Sequence, residues 1–377
     1  MDPFQRLPAE IIQAILLHTA DFVGVESLLV ASPRVRSVFW AESRLITKNL
    51  IASNPITRIT ELSQLCQRVA AIQSAGIECA NLEDYRQTCD NSHVLLDPLS
   101  EQDLYNFIST AARIQRLACI CLHTMQRNLV AAVEKALGPV QAEKSGQPLI
   151  WIEEYRVYWA LWHLQHYSAL RQAARNKWNW SADSLKDLDQ YNVWNGLALL
   201  TPEQIWTVAA VLCDMGLRPV YPHTKADEPE PKEPEFASWS YAKETPIPLF
   251  QSLELPPNAH DHPLWSPPSP PDTSAPPSES FGRSPSYAAT ASPSTPMFRA
   301  YGAQISRHRN PSRGMIRMRP FRRLGVVVWD AFRLCAVGLF HGRSLPRDCG
   351  LAGENDVSWF EMAARWLALV GEPVPEF

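Results

Sequence analysis

The sequence predicts an all-α protein: three short N-terminal helices on an irregular multi-helix body, with a long Pro/Ser-rich insert. Three observations predict it. Apolar residues recur at three- and four-residue spacing through most of the chain. No stretch alternates with period two between hairpin turns. And 21 of the 32 prolines fall in 219–320, so the helix-breaking residues are concentrated in about a quarter of the 377 residues.

The elements follow in order. Residues 8–18, 24–32 and 34–40 are three short helices, separated by Asp21 and by Ser32-Pro33. Pro8 opens the first and Pro33 the third, with Ser32 as N-cap. Helices are expected at 43–53 and 58–75, the second ended by Gly76. The stretch 100–137 begins with Ser100 and Asp103 in a capping arrangement and ends at Gly138-Pro139. It reads as one long helix or two. Helices at 149–177, 182–193 and from Thr201-Pro202-Glu203 to Gly216 complete the first part. Further helices are expected at 322–340 and 355–370.

Between 219 and about 300 acids outnumber bases by 10 to 5, and proline and serine dominate. Such a composition buries too little apolar surface to offset its ordering entropy, so disorder with local polyproline II is expected. Trp239, Tyr241, Leu249 and Phe250 are the exceptions, apolar enough to dock. Six Ser/Thr-Pro steps (Thr245, Ser266, Ser269, Ser284, Ser292, Thr295) suit proline-directed phosphorylation, and the run 267–271 suits a polyproline-reading module. The expected organisation is 1–54, the N-terminal helices; 55–218, a recognition body; 219–320, a disordered linker with an Arg-rich end; and 321–377, helices returning to the body.

Charge and motifs exclude several classes. Net charge is −4, which argues against a surface built for nucleic acid or anionic lipid. The N-terminus has no secretory pattern, and the longest apolar stretch, 324–340, contains Asp330 and Arg333 and is too short for a bilayer. No membrane is expected, and the location is cytoplasmic or nuclear. The eight cysteines are scattered, as free thiols would be; in that setting the sequon at Asn179 has no consequence. No P-loop, G-x-S-x-G, H-E-x-x-H or dinucleotide turn is present, so no enzyme and no cofactor are expected. Cys119, Cys121 and His123 cannot share one helix face, and His163 with His166 lacks a third ligand. No metal is expected.

Three constellations remain. Trp151, Tyr155, Trp159 and Trp162, with Tyr158 and His166, recur at helical spacing; they form either the central core helix or an aromatic groove for a target. Arg307, Arg309, Arg313, Arg317, Arg319, Arg322 and Arg323 give 307–323 a local charge of +7. Arginine suits bidentate pairing with carboxylate or phosphate. The tract reads as an internal partner for the acidic insert at 227–235, a nuclear-localisation segment or a phosphate or nucleic-acid contact, or as a plain solvated or intramolecularly paired tract, but it lacks the folded module and stacking aromatics of a nucleic-acid binder. Finally, Ile11 with Ile15 and Ile12 with Leu16 give the first helix a broad apolar stripe; Val25, Leu28 and Leu29, then Val35, Val38 and Phe39, do the same for the next two. So short a trio cannot enclose a core alone. Each buried Ile, Leu or Phe is worth about 1.5–3 kcal/mol, so these faces must be covered by the rest of the chain or by another protein.

On Leu7-Pro8, Glu10, Ile11, Ile15-Leu16, Leu28-Leu29, Val35, Val38 and Phe39 the sequence resembles the F-box, in particular the F-box-like domains of filamentous fungi. The late Trp329-Asp330 helix and the Pro/Ser-rich insert are similar to those chains too. The resemblance implies a non-catalytic, substrate-recruiting subunit of a cullin-type (SCF) ubiquitin ligase. Leu7, Pro8, Ile11, Ile12, Ile15, Leu28, Leu29, Val35 and Val38 would then bind a Skp-type adaptor and through it the cullin complex, while the body holds an unknown protein target. The alternatives are a helical scaffold whose F-box-like helices only pack on their own domain and, less favoured, an Arg-tract nucleic-acid binder.

Overall fold

The computed structural model describes residues 2–74, 76–91, 96–190, 202–220, 249–250, 253–256, 259, 319–340 and 359–371. Thirteen helices form among the described residues: α1 Ala9–His18, α2 Phe22–Ala31, α3 Pro33–Ser53, α4 Thr60–Gln73, α5 Leu82–Asn91, α6 Glu101–Leu137, α7 Pro139–Ser145, α8 Trp151–Asn176, α9 Ala182–Gln190, α10 Pro202–Asp214, α11 Arg319–Arg323, α12 Ala331–Val337 and α13 Trp359–Val370. The all-α expectation holds. The remaining regular structure among these residues is an antiparallel pairing of β1 Pro219–Val220 with β2 Leu249–Phe250.

Local signals set most helix ends. The Ser100 hydroxyl accepts from Asp103 N–H at 3.1 Å and the Asp103 carboxylate accepts from Ser100 N–H at 3.1 Å, which starts α6. That helix runs unbroken for 37 residues until Gly138, at φ 95°, turns the chain into α7. Pro139 therefore opens a helix as well as ending one.

The expected helices 34–40 and 43–53 are the two halves of α3, and their expected boundary coincides with the kink at Glu42 (φ −127°, ψ 24°). Elsewhere the structure differs from expectation. The expected helix 322–340 is split into α11 and α12 by turns over 324–329. Gly325 sits there at φ 68°, where a Cβ would lie 2.8 Å from Met125 Sδ. Helices α5 and α7 and the β1–β2 pair were not expected at all. Leu249, Phe250, Leu253 and Pro256 are buried, so that part of 219–320 is ordered. Trp239, Tyr241, the Ser/Thr-Pro sites and 267–271 lie outside the described residues.

α6 and α8 form the centre. α2, α3, α4, α7 and α13 pack on α6; α4, α10 and β2 pack on α8. From Ile152 to Leu170 every residue of α8 is buried, which makes it the axis of the body. Tryptophan N–H groups tie surrounding loops to it and to one another: Trp151 to Pro55 O (3.0 Å), Trp178 to Ile77 O (2.7 Å), Trp180 to Cys79 O (2.6 Å), Trp329 to Leu324 O (2.6 Å) and Trp366 to Leu339 O (2.9 Å). Each large ring thus buries apolar area while its one donor closes an irregular carbonyl.

Candidate functional site: the N-terminal helical face

α1 places two apolar pairs on different sides. Ile12 and Leu16 are buried, and α1 packs on α3. Ile11 is 49% exposed, and Leu7 and Ile15 are half-buried. Pro8 occupies the N-cap rather than the first helical position; its carbonyl accepts from Ile12 N–H at 3.3 Å.

The next two helices are capped locally. Asp21 accepts from Gly24 N–H at the start of α2; burial pushes the Asp21 carboxyl up, opposed by that bond. Ser32 accepts from Val35 N–H at 3.1 Å and donates to Asp2 at 2.7 Å, drawing the N-terminal residues onto the α2–α3 junction. The Ser32 bond holds the Asp2 carboxyl below its ordinary value.

The trio is also fastened to the body. Val23 N–H donates to Gln115 Oε1 at 3.0 Å, Glu26 pairs with Arg116 at 2.6 Å, and the rings of Phe22 and Phe107 meet edge-on at 6.0 Å. Trp40 lies 5.7 Å from Tyr105. Asn49 Nδ2 and Asn54 Nδ2 donate to Leu17 O (2.5 Å) and Ala20 O (2.9 Å).

This packing divides the expected adaptor-binding residues. Ile12, Leu29, Val35 and Val38 are buried, Ile12 because α1 packs on α3, the others because α2 and α3 turn them inward against their neighbours and α6. They are not available to a partner while the fold is intact. Leu7, Ile15 and Leu28 are half-buried, and Pro8 and Ile11 are exposed. Val30, at 62% exposed, is a further apolar side chain on α2, outside the set that the resemblance implies.

The aromatic groove is corrected. Tyr155, Trp159 and Trp162 are at most 1% exposed, and only Trp151 is half-buried. Trp162 stacks on Phe107 at 6.1 Å and Trp159 N–H donates to Glu61 at 3.2 Å. They are core because α8 is covered on all sides. His166 Nε2 and Tyr85 Oη are 2.7 Å apart, and the His163 ring lies 4.0 Å from that of Trp159. Burial, with Arg68 nearby, pushes His166 down to about 3 and His163 well down.

The Arg tract is corrected at its end. Arg322 forms a bidentate pair with Glu203 (2.6 and 3.0 Å) and lies over the Trp206 ring; Arg319 and Arg323 both pair with Asp214, at 2.9 and 2.5 Å. These three arginines fasten α11 to α10, where the bidentate fork of arginine suits a carboxylate. Arg307, Arg309, Arg313 and Arg317 lie outside the described residues.

Sequence reasoning missed a densely connected buried charged group. Arg333 donates to both oxygens of Glu153 (2.7 Å each) and to the carbonyls of Ser145, Gln147 and Pro148 (2.8–2.9 Å). Beside it, Arg156 donates to Val328 O and Trp329 O at 2.8 and 2.9 Å. The available signal was a charged residue inside the apolar run 324–340, which requires a buried partner.

Among the described residues no group of three or more His, Cys, Asp or Glu side chains is placed to hold a metal ion, and no helix is long and apolar enough to cross a membrane. The chain matches no family model, no curated protein and no solved structure.

Proposed function

We propose that this chain is a non-catalytic recruiting adaptor of the F-box-like type. The outer side of α1, with Pro8, Ile11, Leu7 and Ile15, docks on a Skp-type adaptor of a cullin ligase, and the helical body holds a protein target. The observation that supports it is the split on α1. The helix is anchored by Ile12 and Leu16, yet keeps Ile11 49% exposed beside half-buried Leu7 and Ile15. Leu7, Ile11 and Ile15 follow one another at four-residue spacing, so they line one side of the helix as a contiguous apolar strip, which suits a partner surface. The mechanism is tethering, which raises the target's effective concentration at the ubiquitin-loading machinery.

One observation favours the rival scaffold reading: four of the nine resemblance positions, Ile12, Leu29, Val35 and Val38, are enclosed by this chain itself. A pull-down of the purified full chain against a Skp-type adaptor separates the two. The adaptor reading expects capture by wild type and loss in Ile11→Asp with unchanged circular dichroism. No capture by wild type leaves the scaffold reading.

A further inference from the structure

The corner between α2 and α3 is locked from several sides. The Ser32 hydroxyl caps α3 and donates to Asp2, which also accepts from Phe4 N–H at 2.9 Å and Arg34 N–H at 3.4 Å. Arg36 Nε reaches back to the Leu29 carbonyl at 3.1 Å, one residue from Val30. On this fixed corner Val30 is 62% exposed, the most exposed of the large apolar side chains among the described residues, with Ala31 and Pro33 exposed beside it. Arg6, Arg34 and Arg36 form no ion pair among the described residues. The acids close by are engaged, Asp2 by Ser32 and Glu26 by Arg116, while Glu10 stands exposed on α1. Two successive turns, Gln5 N–H to Asp2 O (3.2 Å) and Leu7 N–H to Phe4 O (3.0 Å), bring the chain from this corner directly to Leu7. The corner therefore adjoins the α1 strip of Leu7, Ile11 and Ile15.

We propose that the α2–α3 corner is a second contact of the docking face: Val30 enters an apolar socket on the partner protein, and Arg34 and Arg36, with Arg6 beside them, meet carboxylates on the rim of that socket. This rests on the adaptor reading above and deepens it by stating the partner's chemistry, an apolar socket with an acidic rim. A lone exposed valine is ordinary on a protein surface. This one differs in its rigid setting, the cations on its flank and its continuity with the α1 strip. The bonds from Ser32, Asp2 and Arg36 fix the corner before any partner arrives, so docking orders little that is not already ordered. Arginine suits such a rim because its fork pairs with a carboxylate through two parallel bonds. Phosphate would also suit three cations, but the corner presents apolar Val30, Ala31 and Pro33 and no exposed aromatic ring on which a base could stack. The chemistry favours a protein surface.

The test is calorimetric titration of the full chain with a purified Skp-type adaptor. Val30→Asp and Arg34→Glu change exposed side chains and should leave circular dichroism and thermal unfolding as in wild type. Each should weaken binding by at least about 10-fold. Added salt should weaken wild type more than Arg34→Glu, because the variant lacks one of the cations that the acidic rim attracts. Val140→Asp is the control: Val140 is equally apolar and 60% exposed, but stands on α7 at the other end of α6, and its Kd should stay within about twofold of wild type. If Val30→Asp disturbs the fold, Arg34→Glu and its salt dependence decide. A wild-type complex that folded Val30→Asp and Arg34→Glu form equally well overturns the corner contact and leaves the α1 reading standing. Equal loss in Val140→Asp overturns it too, since the effect is then not local. Tighter binding of wild type to single-stranded DNA or phosphatidylserine vesicles than to the adaptor, lost in Arg34→Glu, assigns the cations to phosphate and also overturns it. No wild-type complex at all removes the adaptor reading, and the corner contact falls with it.

Discussion

Replacing Arg333 by methionine tests whether the C-terminal helices are held by one buried ion pair. The Arg333 side chain is 5% exposed and that of Glu153 is 0%. Methionine preserves much of the stem's packing but removes the cation that hydrogen-bonds the Glu153 carboxylate, leaving Arg156 as the nearby charge. It also removes the donor from the carbonyls of Ser145, Gln147 and Pro148, which close the α7–α8 elbow. Breaking a buried pair from one side costs about 3–5 kcal/mol, mostly the stranded charge. At roughly 2–4 °C per kcal/mol for a chain of about this size, the melting temperature should fall by about 10 °C. Glu153→Gln removes the guanidinium's carboxylate instead and should cost a similar amount; Ile150 N–H (3.2 Å) and Asp330 N–H (3.1 Å) donate to different carboxylate oxygens, so only one of them retains the amide oxygen as acceptor. The decisive quantity is the coupling. In Glu153→Gln/Arg333→Met neither charge is stranded, so the double variant should lose about 2–3 kcal/mol less than the two single losses combined. Urea unfolding followed by circular dichroism measures all four proteins. Single losses below about 1 kcal/mol, or strict additivity, would refute the account of Arg333 as a clamp.

Three more outcomes are expected. Gly325→Ala forces a side chain into a left-handed backbone position against Met125 and should cost about 1–3 kcal/mol in thermal unfolding; no loss would mean that the turn tolerates a Cβ. His163 and His166 are held neutral by burial, with folded values below the ordinary value, to about 3 for His166. The unfolded rings take up protons below about 6.5, so the stability they contribute is complete above that pH and declines as pH falls towards 3, by up to about 1.4 kcal/mol per pH unit for each ring. Melting scans from pH 7.5 to 5 should show this decline in wild type and a shallower one in His163→Gln/His166→Gln; parallel curves would contradict it. Finally, Ile11→Asp should change stability by less than about 0.5 kcal/mol while Ile12→Asp unfolds the N-terminal trio, since one side chain faces solvent and its neighbour is 1% exposed. Equal effects on a denaturant curve would mean that the α1 faces are misassigned.

What the sequence determined by itself was local. The Ser100–Asp103 capping pair, Ser32 before Pro33 and the stop at Gly138 each act within a single helical turn, so the helix starts and ends they specify were legible in the residues alone. The all-α class was legible too, from the three- and four-residue apolar spacing and the absence of period-two alternation. Which face of α1 is covered, and that Leu29, Val35 and Val38 turn inward, depended on how α2 and α3 meet α6, far away in the sequence. The aromatic spacing of α8 left groove and core open because both need the same stripe; the neighbours covering every side decided for core. Tertiary structure alone paired Arg333 with Glu153, 180 positions apart, and Arg322 with Glu203, 119 positions apart. It alone seated Leu249 and Phe250 on α8. A helical period or a cap carries no information across such distances, because partner choice there is set by the shape and polarity of the assembled interior.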